Sequence, residues 1–284
     1  MPVPERDTTS WRVVVVTRIL PVALGFHAAL RDAGHDPVAL LTIRDTDGRY
    51  GGFDLGGMLD ELPAELDILM PARRASIAPL LESVRPDLVV CMGFPWKVPA
   101  DALAVPRLGW INGHPSLLPH HRGPVPVAWA IRDGEEEFGV TFHRMDAELD
   151  TGPILAQKAA PLGELCEPEE LYGRMGPLVI EVLSEALANL AAGVEGVVQD
   201  GGDYQSFFGD EDARLDLSRP AEEVHRLIWA WRYTIATGEL HGALAEVDGE
   251  TVRVLASSLT EVDDGVRVEC GDGPIWLVKT EPAV

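Results

Sequence analysis

Four short apolar runs, separated by stretches of helix-forming length, set the tightest limit on what this chain can fold into. Residues 12–16 (RVVVV), 38–43, 88–92 and 108–112 are continuous rather than alternating. Runs of that kind suit strands buried on both faces, the signature of a parallel sheet covered by helices above and below. The first run gives way to Thr17, Arg18, Ile19, Leu20 and Pro21, and the stretch after it is helix-compatible as far as Gly34. Together these segments predict a β-turn-α-β unit. Ser76 is placed to cap a helix carrying Ile77, Leu80, Leu81 and Val84, which Pro86 brings to an end. The repetition predicts an α/β fold, a Rossmann-like open and mostly parallel sheet with helices on both faces.

At 284 residues the chain has room for roughly two domains, and its character changes near residue 206. Residues 1–205 are expected to form the first and larger domain, ending in a long helix over about 167–192 and a Gly-rich segment, 193–203. Residues 206–284 are expected to form a small β-rich, OB-like domain. It should open on a helix with Ser218 as N-cap and Pro220 in the first turn. Strands follow at 244–247, 252–255, 266–269 and 275–278. Trp229 and Trp231 are expected to pack that helix on its sheet. Residues 44–62, rich in Gly and Asp with neither period, are expected to be a mobile loop.

Composition narrows the function. No run reaches about 18 uninterrupted apolar residues, so no membrane span is expected. The first residues lack a basic stretch followed by an apolar core, so no secretory leader is expected either. Cys91, Cys166 and Cys270 are odd in number and far apart, which fits a reducing cytoplasm rather than a disulfide framework. His114, His120 and His121 lack ligand spacing, so no metal is expected. Cys91 reads as a small buried hydrophobe. The net charge of −23 repels phosphate backbones at long range and disfavours nucleic acid as a partner.

The chemistry concentrates after the run at 108–112. Asn112 and His114 stand two residues apart in an extended segment, so both face one space at a sheet's carboxyl end. One offers an amide N–H and the other an imidazole, and both can donate to an oxygen that gains negative charge. A strand and turn further on bring Asp150 to a sheet end, where its carboxylate can orient or protonate the ring. No G-x-S-x-G elbow supplies a nucleophile, so an acyl group would pass directly from donor to acceptor. A histidine beside a carboxylate is also a common structural pair, and spacing alone leaves both readings open.

The wider context is more specific. Ser116, Leu117, Leu118 and Pro119 with Arg122 and Gly123, then Trp129-Ala130-Ile131, Gly139-Val140-Thr141, Met145-Asp146 and Leu149-Asp150-Thr151-Gly152, resemble the 10-formyltetrahydrofolate-dependent formyltransferase family, including its methionyl-tRNA formyltransferase-like members. The resemblance implies that residues matching Asn112 and His114 stabilise the oxyanion formed when an amine attacks a formyl carbon. It implies that Asp150 holds the histidine and helps move the proton. It also places the pterin of 10-formyltetrahydrofolate, a formyl-donating co-substrate, against Phe94, Trp96, Lys97 and Val98 in one loop and Asp146, Ala147 and Glu148 in another. Arg18, Ser116 and Arg122 are the candidate contacts to the acceptor. A carboxylate near His114 is expected to favour the charged ring.

The acceptor is expected to be a small-molecule amine, such as a hydroxyornithine-like siderophore precursor or an aminosugar, in secondary metabolism. Hydrolysis of formyl-folate is the alternative, and retention of Asn112 favours an amine over water. Transfer to methionyl-tRNA is expected to be unlikely. Family members acting on tRNA resemble one another in a basic loop, and the matching segment here, residues 45–54, carries acids. Residues 206–284 hold seven basic and sixteen acidic side chains.

Overall fold

The computed structural model describes residues 10–44, 55–234, 242–247 and 249–283. β1 (Arg12–Val16) keeps all four valines buried, and α1 (Leu20–Asp32) follows with Pro21 in its first turn and Phe26 and Leu30 turned inward. β2 (Asp36–Leu41) pairs parallel to β1. α2 (Leu55–Glu61), β3 (Asp67–Leu69), a 3-10 turn at Arg74–Ser76, α3 (Ile77–Val84) and β4 (Leu88–Cys91) complete the first half. Next come α4 (Ala100–Leu103), β5 (Trp110–His114), α5 (Pro126–Asp133), β6 (Glu137–Arg144), β7 (Ile154–Pro161) and the long α6 (Pro168–Ala191).

These strands make one seven-stranded sheet in the order β3-β2-β1-β4-β5-β6-β7. The first five run parallel, while β6 and β7 are antiparallel additions beside β5. Apolar clusters cover both faces. Phe26, Leu30, Val182, Leu183 and Phe142 belong to one, and Ile77, Leu81, Ala102 and Trp110 to the other. This is the Rossmann-like, mostly parallel arrangement that the apolar runs predict.

The chain then passes through α7 (Asp210–Ala213) and α8 (Ala221–Trp231) into a four-stranded antiparallel sheet. Its strands are β8 (Ala243–Val247), β9 (Glu250–Ser258), β10 (Val266–Glu269) and β11 (Pro274–Pro282), in the order β10-β11-β9-β8. β9 and β11 outrun their sequence signals because register shifts along their pairing break strict alternation. Ile228 and Trp231 of α8 are buried with Ile275 and Leu277 in the cluster that also holds Phe142, so the core runs on from the large sheet. The Trp231 indole N–H donates to the Asp212 carbonyl at 3.1 Å, while Trp229 is only partly buried and lies under the Arg232 guanidinium.

Three local expectations are corrected. Residues 44–62 are not all loop, since α2 occupies Leu55–Glu61; residues 45–54 of the expected mobile segment lie outside the described residues. Ser218 does not cap α8. Its hydroxyl donates to Asp216 Oδ1 at 2.6 Å, in a turn that delays the helix until Ala221 with Pro220 as N-cap. Ser76 precedes α3 but makes no capping bond, because it already ends a 3-10 turn in helical conformation. Among the described residues no helix is long and apolar enough to cross a membrane.

Candidate active site

β5 carries Asn112, Gly113 and His114 to the end of the parallel strands. Its antiparallel neighbour β6 sets His143 opposite Asn112 and Thr141 opposite His114. Directly opposed residues share a face, as do residues two apart, so these four side chains turn to the same side of the sheet. Gly113 between them lies over Phe142, where a Cβ would stand 2.8 Å from the ring.

Asp150 enters from the turn before β7, in left-handed backbone at φ 59°, a conformation that Asp tolerates better than most residues. Its Oδ1 lies 3.5 Å from Asn112 Nδ2, 3.6 Å from His143 Nε2 and 3.7 Å from His114 Nδ1. Oδ2 accepts the backbone N–H of Gly123 at 3.0 Å. One carboxylate therefore gathers an amide, two imidazoles and a loop.

The outer ring atoms fix the tautomers. His114 Nε2–H donates to the His121 carbonyl at 2.9 Å, which leaves Nδ1 facing Asp150. His143 Nδ1–H donates to the Arg144 carbonyl at 2.8 Å, so its Nε2 accepts from Asn112 Nδ2–H at 3.2 Å. Burial pushes the Asp150 carboxyl up. The two imidazoles and the Gly123 N–H outweigh it and hold the group down at about 2. For His114 the balance runs the other way, because burial pushes the ring down and the pull of Asp150 does not make up the difference. Asp150 does favour the charged ring, as expected, but burial outweighs that pull. A neutral ring with its Nδ1 lone pair beside a fixed carboxylate can take up a proton and is held in place once charged. Cys91 is buried, and its thiol is pushed up to about 12, which leaves it no nucleophilic role near neutral pH.

Next to this cluster is a cleft of about 70 Å³, lined on one side by Phe94, Trp96, Lys97 and Val98 after β4 and on the other by Asp146 and Glu148 after β6. Asn112, His143 and Asp150 also line it. The Phe94 and Trp96 rings meet edge to face at 5.9 Å, and Lys97 Nζ reaches Glu148 Oε2 at 3.3 Å across the two loops. Asp146 Oδ1 organises its own loop, accepting Glu148 N–H at 3.0 Å and Thr151 Oγ1–H at 2.8 Å. Ala147 is exposed and outside the lining.

The candidate acceptor contacts are not brought into this group. Arg18 lies half-buried in the turn after β1, outside the cleft's lining. Ser116 is buried, with its hydroxyl donating to the His120 carbonyl at 2.7 Å. Arg122 directs Nε and Nη2 to Gln199 Oε1 at 3.1 and 2.7 Å. A larger cavity of about 540 Å³, between α5, the end of β7 and α8, holds none of Asn112, His114 and Asp150. Among the described residues no cluster of His, Cys, Asp and Glu could hold a metal ion.

His143, Gly123 and Gln199 escape sequence reasoning. A signal for His143 existed: a lone polar ring at an alternate position of the apolar run 138–142, two residues beyond Thr141.

Comparison with known proteins bears on the family and the fold. The family described as Formyl transferase matches residues 70–187. Methionyl-tRNA formyltransferase from Pseudomonas fluorescens is 34% identical over 265 residues, covering 89% of this chain and 84% of that protein. Among solved structures, HypX from Aquifex aeolicus in complex with tetrahydrofolic acid aligns with a TM-score of 0.66 at 18% identity, over 95% of this chain and 44% of that one. A sugar N-formyltransferase from a Shewanella species aligns at 0.63 and 21% identity, over 88% and 99%. The relatives named for methionyl-tRNA overturn the expectation that tRNA is an unlikely partner. That expectation treated net charge as if it fixed local contacts, which a whole-chain sum cannot do, and it leaned on residues 45–54, which lie outside the described residues.

Proposed function

Because this chain belongs to the formyltransferase family, we propose that it moves the formyl group of 10-formyltetrahydrofolate directly to an amine, with no covalent enzyme intermediate. The observation that carries this reading is the convergence of Asn112, His114 and His143 on one Asp150 oxygen, beside a cleft walled by Phe94, Trp96 and Val98. The aromatic wall and the polar loop opposite it fit a flat heteroaromatic ring. Lys97 and Glu148 meet across the two loops that line the cleft. 10-Formyltetrahydrofolate supplies the one-carbon unit. His114 Nδ1 takes the proton that the attacking amine must lose, and the cation so formed is stabilised by Asp150. Asn112 Nδ2 then donates to the oxygen that becomes negative, and the positive charge on the protonated His114 stabilises it. The same proton passes from His114 to the folate nitrogen as its bond to the formyl carbon breaks, which leaves the enzyme as it began.

The relatives favour the α-amine of methionine on tRNA as acceptor. A second reading, a small cationic amine, is favoured by the net charge of −23, which concentrates cations near the surface. We expect labelled formyl-tetrahydrofolate to lose its label to methionyl-tRNA in the first reading and to a hydroxyornithine or aminosugar panel in the second. Label release as formate with no amine present would contradict both and identify a hydrolase.

A further inference from the structure

The segment joining α6 to α7 lies across the loop between β5 and α5. Val197 bridges Ile154 in both directions at 2.8 Å, Tyr204 bridges Arg122, and Gln205 N–H donates to the Arg122 carbonyl at 2.8 Å. Within it, Gln199 Nε2 donates to the carbonyl of Asp150 at 2.9 Å and to that of Gly152 at 2.7 Å. Gln199 Oε1 accepts the two Arg122 bonds, and Arg122 Nη1 reaches the Gly202 carbonyl at 3.3 Å. The amide is thereby fixed at both ends, and its two donors are spent on the carbonyls flanking the turn that aims the Asp150 carboxylate.

We infer that Gln199, held by Arg122, is a positioning residue for Asp150, and that the linker after α6 is therefore a working part of the active site. The inference rests on the formyl-transfer reading for its kinetic consequences only. Asp150 holds left-handed backbone at φ 59°, and such a conformation persists only where its surroundings over-determine it. Gly152, tied to the same brace, leaves no room for a side chain, since a Cβ there would stand 1.9 Å from the Arg144 carbonyl oxygen. Without the Gln199 donors the turn is free to relax, and the carboxylate swings relative to Asn112 and His114. Gln199 lies beyond the match to the family pattern, which ends at residue 187. Arg122, a candidate contact to the acceptor, holds this brace.

The test uses the full chain with Gln199→Glu and Gln199→Ala. Gln199→Glu keeps oxygens for Arg122 but sets a carboxylate oxygen against two backbone carbonyls; Gln199→Ala removes both functions. Expected in each is a loss of about tenfold or more in kcat, with KM for formyl-tetrahydrofolate within about twofold, because misplacing a catalytic group by less than 1 Å is felt in the chemical step. In Gln199→Ala the ring titration of His114, followed by NMR, should also move to lower pH as the support of Asp150 weakens; Asp150, His143 and His121 are the titratable groups that act on it. An unchanged kcat in both variants together with an unchanged His114 titration in Gln199→Ala would overturn the inference. If the wild-type protein transfers no formyl group, the functional reading fails, and the His114 titration alone still decides the role of Gln199.

Discussion

Asp150→Asn is expected to lower kcat for formyl transfer by about 10²–10³-fold, with tetrahydrofolate affinity little changed. The amide keeps the size of the carboxylate and can still accept the Gly123 N–H at the Oδ2 position. What it removes is the negative charge that holds the protonated His114. Affinity is spared because Phe94, Trp96 and Val98, the apolar part of the lining, are untouched and the amide keeps the shape of the carboxylate. His114→Ala should cost a similar factor by removing the proton acceptor itself. Since the two residues act as one unit, the double variant should be little worse than either single one. Steady-state kinetics with tetrahydrofolate binding by calorimetry checks all three. Near wild-type turnover in either single variant would contradict the assignment.

Gly123→Ala should damage both folding and chemistry. Gly123 holds φ 124°, where side chains are strained, and a Cβ would stand 2.0 Å from the backbone oxygen of Gln205. Backbone strain and overpacking together should cost about 2–5 kcal/mol of stability, measured by chemical denaturation. The kinetic loss should exceed what unfolding explains, because the displaced loop takes with it the N–H that holds Asp150 Oδ2 and the His121 carbonyl that orients His114. A variant as stable and as active as the wild type would show that the linker yields freely and that the loop is not held as described.

The parallel strands were legible because a strand buried on both faces leaves an unbroken apolar run, as in β1 and β4, which no exposed element shares. Asn112 and His114 were legible for a related reason: strand periodicity is local, and two polar groups at i and i+2 betray a shared face. His143 depends on antiparallel pairing with β5 across 31 positions, a register that no local period encodes. Gln199 sits among glycines that read only as the end of a helix, and its role exists only through backbone carbonyls some 50 residues earlier. How Ser116 and Arg122 are bonded was not legible for another reason. Both are polar residues beside a catalytic motif, yet their hydrogen bonds are spent inside the protein. Charge misled in a third way, because a sum over the chain says nothing of where an acceptor touches it.

The account turns on His114 working as a neutral ring whose Nδ1 takes up a proton beside Asp150. Its most direct test sets the pH dependence of kcat against the ring titration of His114 in the same protein. Burial lowers that ring below the ordinary histidine range. The active neutral form is therefore present at and above neutral pH and is lost on acidification through the lowered midpoint. An acid limb is expected, with a midpoint that coincides with that of His114 and lies below the ordinary histidine value. Turnover that persists unchanged while the ring becomes fully protonated would contradict it.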